Sequence, residues 1–219
     1  MATVSGTNLF DLDILEIIEE AYEQAGVEAR SGYDMRTARR SLDLLFIEWG
    51  NKGYNLWTIV EDSLVLTPGV GAYTLDAAMV DVVECVLRDA NRDTSIRRIP
   101  LNTHANRTDK TVQGRPSQLY VDRQRTGPVI NLWPIPDEAY TFTYWVMRSI
   151  FDTGDFINGI DTPKRFLPAI IAGLSVKLAA KKNKPAVPGC EKEAARLWDE
   201  ATSEDRDRSD TIIYPELIR

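Results

Sequence analysis

The period of the apolar residues changes twice along this chain, from helical to strand-like and back, and no other feature restricts the fold as strongly. Phe10, Ile14, Ile17, Ile18, Ala21, Tyr22 and Ala25 recur at helical spacing, and Gly26 stands where a helix stops. Met35, Ala38, Leu42, Leu45 and Trp49 recur at steps of three and four, with Gly50 and Gly53 after them. This pattern predicts an antiparallel helical hairpin with a short connection containing Gly32. From Trp57 the period is two. Runs at 63–67 and 72–75 flank Pro68-Gly69-Val70-Gly71, a hairpin signal. The valine-rich stretch 79–87 predicts a buried strand, and 95–101 a weaker one carrying Arg97 and Arg98. Residues 119–121 and 129–133 flank Thr126-Gly127-Pro128, a second hairpin signal. Tyr140, Phe142, Tyr144 and Val146 alternate with Thr141, Thr143, Trp145 and Met147, the clearest strand in the chain. The polar stretch 102–117 reads as an exposed loop or a short helix with an exposed arm.

Helix returns after Thr162-Pro163, with Phe166, Ile170, Leu174, Val176 and Leu178 as its apolar content. It ends near Lys181-Lys182-Asn183, where cations suit the helix dipole. A last helix runs from Cys190 to about Arg206, with Ala194, Leu197, Trp198 and Ala201 on its apolar face. Neither helical pair can bury its stripe alone, so the two pairs are expected to pack together around an insertion. The expected fold is α+β. A discontinuous α-helical bundle takes residues 1–60 and 162–207, an inserted antiparallel β domain takes 61–161, and an extended C-terminal tail takes 208–219.

Catalytic chemistry finds little support. His104 is the only histidine, which excludes multi-histidine metal centres and HExxH. It sits among Asn102, Thr103, Asn106 and Arg107, away from any nucleophile signature, and reads as a surface residue. GxSxG, GxGxxG and GxxxxGK[ST] are absent, and Gly69-Val70-Gly71 is turn chemistry. Carboxylate pairs such as Asp152 with Asp155 carry no specificity among 33 acidic residues. Cys85 lies in an apolar run and Cys190 opens a helix; both thiols read as inert. The net charge of −7 opposes stable nucleic-acid binding, which draws on basic stripes. Residues 1–8 lack a basic segment followed by an apolar stretch, so cytoplasmic synthesis is expected. The apolar window 166–180 is too short to span a bilayer.

Two surfaces remain as candidates for contact. Arg36, Arg39, Arg40 and Asp43 occupy the far face of the second helix, either as a solvated face or as a contact with a neighbouring subunit. At the C-terminus, charged residues 205–210 precede Ile212, Ile213, Tyr214, Leu217 and Ile218, which pack on their own domain or form an assembly arm. Full burial of those five side chains contributes roughly 8–15 kcal/mol, and ordering about nine residues costs on the order of 1–2 kcal/mol each. The two nearly cancel, so one arm binds weakly and a ring of arms firmly.

Four stretches resemble the tail adaptor, or head-to-tail connector, proteins of tailed bacteriophages, the short-tailed type above all. They are Leu42-x-x-Leu45-x-x-Glu48-Trp49-x-x-x-Gly53-x-x-Leu56-Trp57; Leu64-x-Leu66-x-x-Gly69-x-x-x-Tyr73-x-Leu75; Gly114-Arg115-Pro116-Ser117 leading to Tyr120; and Ile130-x-Leu132-Trp133-Pro134-x-Pro136-x-x-x-Tyr140-x-Phe142-x-Tyr144. The final helical pair completes the order, over about residues 9–205. The resemblance implies a ring of twelve copies beneath the phage portal protein, a docking surface for the tail hub or nozzle protein, and an extended channel for double-stranded DNA. It implies a virion protein without catalysis, cofactor or membrane contact. A neck, tail-completion or tail-terminator protein is the structural alternative, and a tail-associated hydrolase the enzymatic one.

Overall fold

The computed structural model describes residues 10–53, 56–89 and 92–204, which fall into two compact units. One combines the chain up to residue 56 with residues from 151 onward; the other is 57–150.

In the first unit, α1 (Ile14–Gln24) starts at a capping box. The Asp13 carboxylate accepts from the Glu16 amide at 2.8 Å, and the Glu16 carboxylate from the Asp13 amide at 3.0 Å. Its buried stripe is Ile14, Ile17, Ile18, Ala21 and Tyr22, and Gly26 follows its end at φ 65°, as the spacing predicts. The second helix, α2 (Gly32–Lys52), is capped by Ser31 and stopped by Gly53 at φ 74°. Gly32 is therefore the first residue of α2, and the connection lies ahead of it. With α3 (Leu101–Ala105) in the second unit, α4 (Leu167–Lys182) and α5 (Val187–Glu204) complete this one. Cys190 lies within the first turns of α5, which opens at Val187.

The hairpin expected of α1 and α2 is not the main contact. Both helices, and α5, pack chiefly on α4, which is buried over most of its circumference and buries Leu167, Ile170, Ile171, Leu174 and Leu178. Gly173 lets α2 approach α4 closely, because a Cβ there would lie 3.0 Å from Leu45 Cδ2. Trp49, Phe166 and Trp198 cluster where α2, α4 and α5 meet, with ring centroids 4.4–6.1 Å apart.

Residues 151–161, which the sequence reading groups with the strands, pack among these helices. The carbonyls of Asn158 and Phe156 accept from the amides of Ile14 and Leu15, both at 3.1 Å, filling the donors that a helix start leaves open. Asp43 on α2 accepts from Thr153 N and Oγ1 at 3.0 and 2.9 Å. Arg39 donates to the Gly154 carbonyl at 2.6 Å and lies over the Phe156 ring.

The second unit contains β1 (Ile59–Val65), β2 (Ala72–Thr74), β3 (Met79–Asp89), β4 (Arg92–Ser95), β5 (Arg97–Arg98), α3 (Leu101–Ala105), β6 (Gln118–Gln124), β7 (Gly127–Trp133) and β8 (Thr141–Arg148). They build two four-stranded sheets, β1-β8-β3-β4 and β2-β7-β6-β5, antiparallel except for the short β5 and β6 pair. Leu87, Val82, Phe142 and Val146 of the first sheet share one core with Leu119, Ile130 and Leu132 of the second. The β6 and β7 hairpin forms as expected around Gly127. Residues 68–71 do not close a hairpin, since β1 and β2 belong to different sheets and this turn carries the chain between them. Strand β3 is buried on one face only, with Val80 and Val83 exposed on the other.

Candidate functional site

In the β unit, the Gly- and Pro-rich stretches singled out in the sequence meet at one end. Gly69 N donates to the Pro136 carbonyl, Leu132 N to Gly71, Gly114 N to Ile135 and Ser117 N to Trp133, at 2.8–3.0 Å. Tyr73 Oη accepts from Thr67 N at 2.8 Å and closes the intervening turn. Arg107 lies 3.9 Å over the Trp133 ring and also bonds Gln118, while Trp133 Nε1 donates to the Asp109 carbonyl at 3.3 Å. These side chains fasten loops to each other.

His104 is half-buried and not a free surface residue. Its ring stacks on Tyr120 with centroids 4.9 Å apart. Burial, then repulsion from Lys110 and Arg107, lowers its pKa, so the neutral ring is favoured. Cys85 is buried and its thiol, at 3.7 Å from the Ile96 carbonyl, is pushed up to about 12, chiefly by burial. Tyr144 donates to Asp62 across the β1 and β8 pair at 2.9 Å, and burial with that bond raises its phenol. Among the described residues no group of three or more His, Cys, Asp and Glu side chains converges.

The helical unit presents a different kind of surface. Tyr33, Leu44 and Ile47 on α2 are 67%, 51% and 61% exposed. With Arg36 and Arg40 they form one stripe at steps of three and four, turned away from the core. Of the four charged residues flagged on this helix, Arg39 and Asp43 are engaged with 153–156 of the same chain, whereas Arg36 and Arg40 face solvent. Lys181 on α4 borders the stripe and bonds the Ser41 hydroxyl, its pKa lowered by burial, Arg40 and Lys177 in that order. At this border Lys181 and Arg40 are thus like charges near one another. Tyr33, Leu44 and Ile47 were overlooked in the sequence, although their spacing on the non-core face was legible there; the approach of Lys181 was not.

On α1 the outward residues are Leu15, Glu19, Glu20 and Glu23, all exposed. Elsewhere an open groove of about 340 Å³ runs between α2, α4 and α5 over Trp49, Gly173, Ala194 and Trp198. Lys52 caps the Trp198 face at 4.1 Å, and Lys177 pairs with Glu48 at 2.6 Å. Among the described residues no helix is long and apolar enough to cross a membrane. The C-terminal candidates Ile212, Ile213, Tyr214, Leu217 and Ile218 lie outside the described residues.

Comparison with protein-family models matches residues 34–213 to the family described as SU10 adaptor protein. No curated protein matches the chain.

Proposed function

The chain belongs to the SU10 adaptor protein family, as its resemblance to tail adaptors implied, and from that membership we propose a structural, non-enzymatic role in the neck of a phage virion. Copies assembled in the host cytoplasm form a ring, of twelve by analogy with tail adaptors. The ring meets the portal protein on one side and the tail hub or nozzle protein on the other. Double-stranded DNA passes through it without specific binding, which a net charge of −7 per copy favours by repelling phosphates. No cofactor is required.

The observation that carries this reading is the contrast between the two kinds of surface. Several polar side chains of the β unit are paired with one another in fastening contacts, whereas α2 offers solvent three large apolar side chains and two guanidinium groups that have no partner among the described residues. Such a surface suits a protein partner better than a reacting small molecule. The portal contact falls to Ile212, Ile213, Tyr214, Leu217 and Ile218, too apolar for a solvated tail. Removing residues 208–219 is expected to leave the circular dichroism and thermal midpoint of the chain unchanged and to abolish its co-sedimentation with portal rings. Undiminished co-sedimentation would sink the arm.

A further inference from the structure

We infer that copies of this chain contact one another head to tail through two different helices, the α2 stripe of one copy lying antiparallel on the outward face of α1 of the next. The inference rests on the ring reading above and names the surfaces that build it. The two faces are complementary in kind and in order. Along α2, Arg36, Arg40 and Leu44 form a row at steps of four. Along α1, read in the opposite direction, Glu23, Glu19 and Leu15 form another row with the same step. Antiparallel helices bring such rows into register, so each arginine meets a glutamate and leucine meets leucine.

Within one chain these charges stay apart. Among the described residues neither Arg36 nor Arg40 has an ion pair, and the acidic face of α1 meets no cation. Both helices are held on α4 by their buried faces, which leaves the outer rows free. The like charge of Arg40 and Lys181 at one border, where Lys177 is already paired with Glu48, adds to the demand for an external anion. Because the two faces differ, the contact is heterologous, and repetition closes a ring or extends a filament, in contrast to a two-fold dimer. Helix α1 lies ahead of the span matched by the family model, which begins at residue 34.

One such contact is weak. Exposed ion pairs contribute on the order of 0.2–1 kcal/mol each, and a face about 16 Å long falls short of the roughly 1,200 Å² of a stable interface. A chain built this way is monomeric when dilute and assembles once a template raises its local concentration.

Disulfide trapping tests the register. With Cys190→Ser throughout, Leu15→Cys and Leu44→Cys chains are mixed at about 1 mM, a concentration that populates weak contacts, and mildly oxidised. The expected main product is the mixed 15–44 dimer, and a chain carrying both substitutions gives a ladder of multimers. Arg36→Glu with Arg40→Glu in the Leu44→Cys partner lowers the yield about tenfold. Adding Glu19→Arg with Glu23→Arg to the Leu15→Cys partner restores it, which a folding defect would not permit. Equal amounts of 15–15 and 44–44 dimers, or a mixed yield no higher than with a Lys192→Cys control, overturn the inference. The adaptor reading is scored separately by portal co-sedimentation: binding without the 15–44 link rejects this interface alone, and loss of both rejects the adaptor as well.

Discussion

Asp81 on β3 accepts from Arg98, at 2.8 Å, and from Arg123, so one carboxylate from the first sheet grips two strands of the second. It is mostly shielded, whereas both arginines are substantially exposed, which limits what the pair contributes. Asp81→Ala removes the grip and leaves Arg98 with only the Val82 carbonyl, at 2.7 Å. A loss of roughly 1–2 kcal/mol is expected, read as a lower urea midpoint; an unchanged midpoint would contradict it. His104 supplies a pH dependence. Its folded pKa lies below its ordinary value of about 6.5, so the fold binds this proton less readily than the unfolded chain does. The contribution is therefore present above about pH 6.5 and is lost as pH falls through the lower folded pKa. His104→Phe keeps a ring against Tyr120 and is expected to flatten the fall in thermal midpoint between about pH 7 and about pH 5. Asp34, Asp93 and Asp109, whose pKa values are lowered, act in a separate window below about pH 4. Local pattern placed His104 in a polar stretch, which forms the short helix α3. It missed the stacking because the partner ring belongs to a strand beyond that stretch.

Among the elements, the fourth helix organises its unit and Gly173 sets how near the second can come. Gly173→Val puts a branched side chain where Leu45 methyls lie 3.0 and 3.2 Å from an added Cβ. Overpacking costs about 1–3 kcal/mol, offset by only about 0.3–0.5 kcal/mol of helix propensity, since valine is itself a weak helix former. A lower midpoint is expected, and pairing the change with Leu45→Ala should cost less than the two singles together; strict additivity would refute the contact. Helix existence, the glycine stops and most of the buried stripes were legible, because they are local properties; the starts were not, since α1 opens at Ile14 with Phe10 exposed ahead of it, α2 at Gly32 and α5 at Val187. Partner choice was not. Pro68-Gly69-Val70-Gly71 has the turn chemistry of a hairpin, yet the same chemistry serves a chain crossing between sheets. The valines of β3 read as buried on both faces, while Val80 and Val83 lie outside. Residues 151–161 carry no helical or strand period, so nothing local announced that their backbone carbonyls would cap α1.

For the whole molecule, division into two units follows from where contacts close: helices from both ends of the chain around α4, strands between them around one shared core. A net charge of −7 keeps copies apart in dilute solution and weakens any single contact. In the ring proposed above, assembly therefore depends on many weak contacts made at once.

By itself the sequence determined the α+β class, the alternation of helical and strand regions, most of each buried helical stripe and the family, since all of these reside in residue type and spacing along the chain. Only the tertiary structure decided which strands share a sheet, that α4 and not a helical hairpin is the centre of its unit, and that Arg39 and Asp43 are occupied while Arg36 and Arg40 have no partner among the described residues. Those outcomes depend on residues far apart in the chain coming within a few ångströms of one another, and spacing along a sequence carries no measure of that distance.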